Sequence, residues 1–287
     1  MPSGTADLGE FEFGSHAITA GKFTRAGLEN NLRVAVLLWQ TFRLEKLFEV
    51  IHEDADLLVV NKPAGLVCHP TKGDGYSSLV SRARLHLKTF VTPHLVHRLD
   101  RETGGVVLFG KSPEVARELG KIWETRSVTK EYLAIVHGHV QADHGVIDAP
   151  LGKDESSRVA IKDTVRPDGA QAQTRFLVEK RFARAVGSGF EQPFTLLRLR
   201  PLTGRKHQIR IHLASLGHAI VGDKIYGGDE DLYLALVENR LTEEQRSRLI
   251  LPHHALHAIC LEFDWRGQSH RFVASPEPEF EKFHAVA

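Results

Sequence analysis

Apolar residues in this chain recur mostly at strand spacing, and only three segments repeat them at helical spacing. Residues 57–60 form a short apolar run between turn residues at 54–56 and 61–65, which predicts a buried strand. Residues 130–136 and 195–200 alternate apolar and polar positions, as strands with one buried face do. The remaining predicted segments are strands at 34–39, 174–178, 219–221 and 258–263, a strand or short helix at 42–50, and a surface hairpin or loop at 152–173.

The strongest helical pattern follows Ser112 and Pro113, a capping residue and a proline suited to the first turn. Two further helices are predicted over 78–87 and 207–216, the second ending at Gly217. The positions expected to be buried are Val115, Leu119, Ile122 and Trp123 in the first helix, Leu79, Ala83 and Leu87 in the second, and Ile209, Leu213 and Leu216 in the third. Strands beside a few helices, without regular alternation, predict an α+β class with a largely antiparallel sheet.

Composition indicates a globular, cysteine-poor protein. Its 287 residues, 42% of them hydrophobic, can bury a sizeable core. The formal net charge is only +1, so any nucleic-acid binding depends on local basic segments such as 198–210, which has five basic residues and no acid. Two cysteines fit a reducing compartment. The longest apolar run near the N-terminus, 34–39, is far below the roughly 18 residues of a membrane span, and residues 1–30 lack a secretion signal, so we expect a cytoplasmic protein without membrane contact.

The most distinctive stretch is HRLDRETGG at residues 97–105. It places a single carboxylate, Asp100, between Arg98 and Arg101 and ahead of two glycines and an apolar run. This arrangement indicates a reactive acid held in a cleft. Taken alone, however, the stretch fits better a structural aspartate paired with a neighbouring arginine.

Four more segments reverse that preference. They are NKPAGLVCHP at 61–70, KEYLAIVHG at 130–138, PLTGRKHQIRIHLASLGHAIVGDKIYG at 201–227 and LPHHALHA at 251–258. Together with 97–105 they resemble, in order and spacing, the RluA-type pseudouridine synthases, over about residues 47–270. Any one of these motifs is weak evidence, but five in sequence are strong.

The resemblance implies the pseudouridine synthase fold, a mixed and largely antiparallel sheet with flanking helices and a central active-site cleft. It also implies an isomerase that breaks the N1 to C1′ bond of uridine in RNA and rejoins the ring through C5. Asp100 stands at the position of the catalytic aspartate, Tyr132 at the tyrosine that stacks on the target base, and Arg210 at the arginine that pairs with the aspartate. Arg98 occupies the place of a residue that, in some members, fills the gap left by the flipped nucleotide.

The chemistry of these residue types agrees with the implied roles. A carboxylate is a suitable nucleophile if it stays ionised, and a guanidinium within about 4 to 6 Å of Asp100 would lower its pKa against the effect of burial. Because the departing uracil is also the returning nucleophile, one acid suffices, and we expect neither a metal nor a cofactor. An aromatic platform such as Tyr132 contributes about 1 to 3 kcal/mol per stacked base, against roughly a few kcal/mol for extruding it. The residues expected to contact RNA are Arg98, Arg101, Arg198, Arg200, Arg205 and Lys206.

Two positions depart from the usual family pattern. Gly104 stands where the family usually has serine, which is expected to loosen the start of the following strand, and Lys206 stands where it usually has threonine and adds a charge near the cleft. The S4 module that many relatives carry is not recognisable in residues 1–46, so we predict an N-terminal extension there and a catalytic domain over 47–287. We expect a monomer that binds ribosomal or transfer RNA and not DNA.

Two other functions stay open. A non-catalytic RNA-binding or ribosome-assembly protein on the same fold would require Asp100 or Arg210 to be misaligned. A metal-dependent hydrolase is suggested by the 17 histidines, but no Glu follows His253 as a zinc-hydrolase motif requires. His97 is expected to pack or hydrogen-bond beneath the Asp100 loop and not to act as a general base.

Overall fold

The computed structural model describes residues 48–70, 78–88, 92–187 and 189–285. The strands in these ranges are β1 Glu49–Glu53, β2 Leu57–Lys62, β3 His94–Leu95, β4 Gly104–Gly110, β5 Val128–His137, β6 His144–Asp148, β7 Leu151–Lys153, β8 Asp163–Val165, β9 Gln173–Val186, β10 Phe190–Pro201, β11 Leu256–Trp265 and β12 Gln268–Val273. The helices are α1 Leu79–His86, α2 Pro113–Glu124, α3 Gln208–Ser215, α4 Glu230–Val237, α5 Glu243–Leu249 and α6 Pro278–His284.

Ten of the described strands form one mixed sheet. Its order is β1-β2-β4-β11-β5-β10-β9-β6, with β3 beside β4 and β12 beside β11. β4 and β11 run parallel, whereas the other described pairings are antiparallel. β7 and β8 form a separate antiparallel pair, which confirms the predicted hairpin. The α+β class with a largely antiparallel sheet is therefore confirmed.

Three apolar clusters fill the interior of the described part of the chain, and the two largest include strands from the middle of the sheet. One gathers side chains from β5, β10, α3 and α6, including Phe194, Leu197 and Leu213. The other gathers side chains from β2, β4 and α2, including Leu108 and Leu119. Each such side chain contributes about 1.5 to 3 kcal/mol when fully buried. β11 supplies residues to both of these clusters and so joins them through the centre of the sheet.

All three predicted helices form; of the positions expected to be buried, Leu87, Ile122 and Trp123 are half-buried and one, Leu216, is exposed. The Ser112 hydroxyl accepts a hydrogen bond from the Val115 amide and starts α2, and Ser78 caps α1 in the same way. The prediction that Leu216 is buried is wrong. Leu216 is 47% exposed because α3 ends at Ser215 and Leu216 lies beyond the last helical turn.

The strand predicted at 219–221 is also wrong. Only an isolated bridge joins Ile220 to Val136. Val221 donates its amide to the carbonyl of Ile135 and accepts from the amide of Ala255, so the segment is tied to its neighbours by single bonds and not by a ladder.

The glycine pair at the start of β4 has a steric reason. Gly105 has a φ of +116°, and a Cβ there would collide with the backbone of Ala258 on β11. A Cβ at Gly104 would meet the Glu277 carboxylate and the His257 ring. The expected loosening at Gly104 is not what the structure presents, because Gly104 is paired in the sheet with His257.

Three sequence predictions fall on other parts of the chain. The strand at 34–39, most of the segment 42–50 and the extension 1–46 lie outside the described residues, so the extension stays a prediction. Among the helices that are described, none combines the length and the apolar character needed to cross a membrane.

Candidate active site

The loop that carries Asp100, between β3 and β4, is held by a buried ammonium group. Lys62, at the end of β2, is fully buried, and its Nζ donates to the carbonyl oxygens of Pro63 at 2.9 Å, Leu66 at 2.8 Å and Arg101 at 3.1 Å. Burial lowers the pKa of Lys62 to about 8. One side chain thus joins the turn after β2 to the residue next to Asp100.

Arg210, on α3, contacts Asp100 and is itself clamped. Its Nη1 donates to Asp100 Oδ2 at 2.9 Å, while Nε and Nη2 donate to the two oxygens of Asp223 at 2.7 and 2.8 Å. The Arg210 side chain is 5% exposed and that of Asp223 is fully buried. Asp223 also accepts the backbone amides of Ile225 and Tyr226. A two-bond clamp of this kind fixes the direction of the third guanidinium nitrogen, which points at Asp100.

The electrostatics keep Asp100 ionised. Burial is the largest single influence on the pKa of Asp100 and raises it, but the nearby cationic groups, Arg210 first among them, together outweigh burial and lower that pKa below its usual range. The side chain is nevertheless 26% exposed, so its charge is accessible to a ligand.

Tyr132, on β5, lines the same cavity as Asp100 and Arg210. Burial, and to a smaller extent the Asp100 charge, raises the pKa of its phenol, which therefore stays neutral.

His97 contacts residues away from the Asp100–Arg210 pair. Its Nε2 accepts a hydrogen bond from the Leu108 amide at 3.2 Å, and its ring stacks on Trp123 with the ring centroids 5.3 Å apart. His97 thus packs and hydrogen-bonds as predicted, but these two partners lie on β4 and α2 and not on the Asp100 loop.

Two neighbouring cavities meet at the Asp100–Arg210 pair. Their shared lining residues are Arg98, Leu99, Asp100, His207 and Arg210. The larger, about 960 Å³, contains Tyr132 and a wall of basic side chains: Arg126, Lys130, Arg175, Arg200, Arg205 and Lys206. The smaller, about 730 Å³, includes four side chains with large apolar surfaces: Ile161, Tyr233, Leu236 and Val237. We call these the basic cavity and the apolar cavity.

The residues predicted to contact RNA are not all alike in position. Arg98 lines both cavities, Arg101 lines the apolar one, and Arg200, Arg205 and Lys206 line the basic one. Arg198 lines neither cavity, because it donates to Glu131 and Glu179 across the sheet surface. Arg200 and Lys206 also have acidic partners, Glu131 at 2.6 Å and Asp163 at 2.8 Å.

Several residues that support the site were not singled out from the sequence. Asp223 clamps Arg210, and Lys224 donates to both Glu102 oxygens at 2.8 and 2.9 Å, which links the Asp100 loop to the segment after α3. His207 and the lining residues Arg126, Lys130 and Arg175 were missed as well. Asp223, Lys224 and His207 lie within the quoted 201–227 motif, which was the available signal.

The histidines of the 251–258 motif do not converge on one point. His254 Nε2 lies 2.7 Å from the Thr103 hydroxyl, and His257 Nδ1 lies 3.3 Å from Glu277. Within the described ranges, no three His, Cys, Asp or Glu side chains are grouped as a metal site would require. The expected absence of a metal remains a prediction.

The fold and this constellation define the class of protein. Residues 56–215 match the family described as RNA pseudouridylate synthase, and the chain belongs to that family. The resemblance to the RluA-type members is confirmed by a dual-specificity RNA pseudouridine synthase RluA of Vibrio vulnificus (strain CMCP6), 40% identical over 179 residues, 62% of this chain and 68% of that one.

Other relatives agree, with partial coverage. An uncharacterized RNA pseudouridine synthase of Aquifex aeolicus (strain VF5) is 38% identical over 62% of this chain and 55% of its own length. The ribosomal large subunit pseudouridine synthase D of Vibrio cholerae (serotype O1, strain ATCC 39315 / El Tor Inaba N16961) is 35% identical over 75% of this chain and 62% of its own. The match therefore spans less than two thirds of these two relatives.

Solved structures show the same fold. Human RNA pseudouridylate synthase domain containing 4 superposes with a TM-score of 0.61 at 25% identity, over 88% of this chain and 95% of that one. Human RNA pseudouridylate synthase domain containing 1 gives a TM-score of 0.63 at 24% identity, over 80% and 84% of the two chains. The predicted pseudouridine synthase fold is thus confirmed.

Proposed function

We propose that this protein is an RNA pseudouridine synthase in which Asp100 is the nucleophile and Arg210 is its fixed counter-ion. The observation that carries the proposal is the 2.9 Å contact between Arg210 Nη1 and Asp100 Oδ2 at the place where the two cavities meet. This contact keeps the carboxylate charged while its partial exposure leaves it open to a substrate.

The reaction needs no second substrate. Asp100 attacks the bound nucleotide, either at the sugar carbon C1′ or at an electron-poor carbon of the pyrimidine ring. The N1 to C1′ bond breaks and its electron pair stays with the uracil. The ring turns, C5 forms the new bond to C1′, and the bond from the Asp100 oxygen breaks with its electron pair returning to the carboxylate. The C5 proton passes to solvent and N1 takes up a proton. Atoms and electrons balance without a metal, a redox partner or a nucleotide cofactor.

The two sides of the site divide the binding work in this proposal. Tyr132 stacks on the extruded base, and the basic cavity takes the sugar–phosphate backbone. We therefore keep Arg98, Arg101, Arg200, Arg205 and Lys206 as RNA contacts, and assign Arg198 the weakest contribution because of its two acidic partners. The name of the Vibrio cholerae relative, a ribosomal large subunit pseudouridine synthase, supports ribosomal RNA as a substrate class. We propose a structured ribosomal or transfer RNA as the substrate of this chain. We further propose that the chain acts as a cytoplasmic monomer on RNA and not on DNA.

The alternative, a non-catalytic RNA-binding protein on the same fold, is not favoured. It would require the acid or its partner to be misaligned, and the contact between Asp100 and Arg210 argues against that.

Release of tritium from RNA labelled at C5 of uridine tests the proposal, because isomerisation replaces the C5–H bond. The substrates are ribosomal and transfer RNA from cells that lack this protein, and the control variant is Asp231→Asn, an exposed helix residue. We expect release by the wild type and by Asp231→Asn, none by Asp100→Asn, and no change in excess chelator. Release by Asp100→Asn at the wild-type rate would refute the nucleophile, and loss in chelator would favour a metal enzyme.

A further inference from the structure

His207 lies beside Asp100 in an unusual backbone conformation. It lines both cavities, its side chain is 9% exposed, and it immediately precedes α3 with a φ of +54°. Residues other than glycine seldom adopt this left-handed conformation, and those that do are often held there for a functional reason.

A short hydrogen-bond chain favours one position for the proton on the His207 ring. The amide of Asp163 donates to the Tyr226 hydroxyl oxygen at 3.3 Å, and that oxygen lies 2.9 Å from His207 Nδ1. Since the Tyr226 oxygen already accepts from that amide, we assign its hydroxyl as the donor and His207 Nδ1 as the acceptor of the second bond. Nδ1 is then unprotonated, and the neutral imidazole carries its hydrogen on Nε2.

The ring is neutral and its outer nitrogen is free. Burial, reinforced by the nearby Arg210 guanidinium, lowers the pKa of His207 to about 4. Nε2 lies 3.8 Å from Asp100 Oδ2, which is too far for a hydrogen bond, and that oxygen is already bonded to Arg210 at 2.9 Å. Among the described residues Nε2 has no hydrogen-bond partner. A fixed N–H donor thus stands next to the proposed nucleophile with nothing to donate to.

We infer that the Nε2–H of His207 donates a hydrogen bond to a carbonyl oxygen of the extruded uracil. This inference rests on the proposed function and adds a catalytic residue to it. When the N1 to C1′ bond breaks, negative charge spreads onto the ring carbonyl oxygens, and a donor that is already oriented stabilises that charge without reorganisation. The imidazole keeps its proton throughout, so no bond to it is made or broken.

Two variants, His207→Asn and His207→Gln, distinguish the role of Nε2 from the role of Nδ1. In His207→Asn the residue still tolerates the left-handed backbone and its amide reaches toward Tyr226, but the outer N–H is gone. We expect kcat for tritium release to fall about 10²-fold with KM changed by less than about threefold. His207→Gln, whose longer side chain places an amide N–H near the outer position, should recover about tenfold of that loss. Urea midpoints of both variants check that the fold is intact.

Thio-substituted substrates identify the acceptor. RNA with 2-thiouridine or 4-thiouridine at the target position replaces one carbonyl oxygen by sulfur, a poorer hydrogen-bond acceptor. If His207 binds one of these oxygens, the matching thio substitution slows the wild type more than it slows His207→Asn. If both substitutions slow the two proteins by the same factors, the inference is overturned.

A measurement on the unmodified protein is independent of any variant's folding. With ¹⁵N-labelled histidine, the His207 signal, identified by its loss in His207→Asn, should show a protonated Nε2 and an unprotonated Nδ1 at neutral pH. Tyr226→Phe removes the hydroxyl donor to Nδ1, so both ring nitrogens of His207 should then carry the proton in part. A protonated Nδ1, or full activity of His207→Asn, would overturn the inference and leave the proposed function standing. Absence of tritium release by the wild type on every RNA would instead refute the proposed function itself.

Discussion

Replacing Asp223 by asparagine tests whether the clamp on Arg210 is required for both stability and activity. Asp223 Oδ1 accepts from Arg210 Nη2 and from two backbone amides, while Oδ2 accepts from Arg210 Nε. In Asp223→Asn the amide oxygen can keep the bonds of Oδ1, but the amide nitrogen then faces the Nε–H. The negative charge of residue 223 and its bond from Arg210 Nε are lost, and the buried Nε–H then faces the N–H donor of the asparagine amide.

The expected cost follows from burial. Removing one partner of a buried ion pair costs about 3 to 5 kcal/mol, and because the bonds of Oδ1 survive we expect about 3 kcal/mol for Asp223→Asn. The matched control is Asp231→Asn, which removes the charge from a pair with Arg158 whose side chains are 59% and 64% exposed. Exposed pairs contribute about 0 to 1 kcal/mol. Urea unfolding of the two variants measures the difference.

The pH dependence of the stability difference between the wild type and Asp223→Asn is a second test, with a predicted direction. Burial raises the pKa of Asp223, but the Arg210 ion pair outweighs it and holds that pKa well below its usual range. Because the folded pKa lies below the unfolded value of about 3.9, the contribution is fully present above that value and is lost as pH falls through the folded pKa. The gap between wild type and Asp223→Asn should stay constant from about pH 8 to about pH 5 and shrink below about pH 4.

Activity provides the last part of this test. With Arg210 no longer held on two sides, its contact with Asp100 loosens, and kcat for tritium release should fall at least about tenfold. Equal urea midpoints for Asp223→Asn and Asp231→Asn, together with unchanged kcat, would refute the clamp.

Four further predictions follow from the site. Asp100→Asn should abolish isomerisation and leave RNA affinity within about threefold by filter binding, since stacking and phosphate contacts remain; affinity lost together with activity would contradict this. Tyr132→Phe should retain more activity than Tyr132→Leu, and equal losses would argue against stacking. Lys62→Met should lower unfolding free energy by about 1 to 3 kcal/mol in urea, because three buried carbonyls lose their donor. Arg205→Ala should reduce the slope of log affinity against log salt by about one, and an unchanged slope would exclude a phosphate contact.

Local sequence features predicted the elements well where capping and apolar spacing agreed. Ser112 and Pro113 located the start of α2, and the apolar run 57–60 located β2, because caps and burial periodicity act over a few residues. The predictions of a strand at 219–221 and of a buried Leu216 were wrong because both depend on tertiary contacts. No local sequence signal shows whether an apolar triad joins a sheet or whether a leucine after a helix is covered by other elements.

The site was predictable only in part. The five motifs indicated that Asp100 and Arg210 would meet, although 110 residues separate them. Strand alternation placed Arg198 and Arg200 on one polar face, but their acidic partners Glu131 and Glu179 come from neighbouring strands and depend on sheet register, which alternation does not determine. The clamp by Asp223 likewise required the fold, since no spacing rule relates it to Arg210.

The central claim is that the Asp100 carboxylate isomerises uridine in RNA. Mapping pseudouridines in total RNA tests it most directly in three strains: one with the wild-type chain, one without it, and one in which Asp100→Asn is expressed at the wild-type level. We expect at least one site in ribosomal or transfer RNA to be pseudouridine in the first strain and uridine in the other two. Identical maps in all three strains, or a site restored by Asp100→Asn, would contradict the claim.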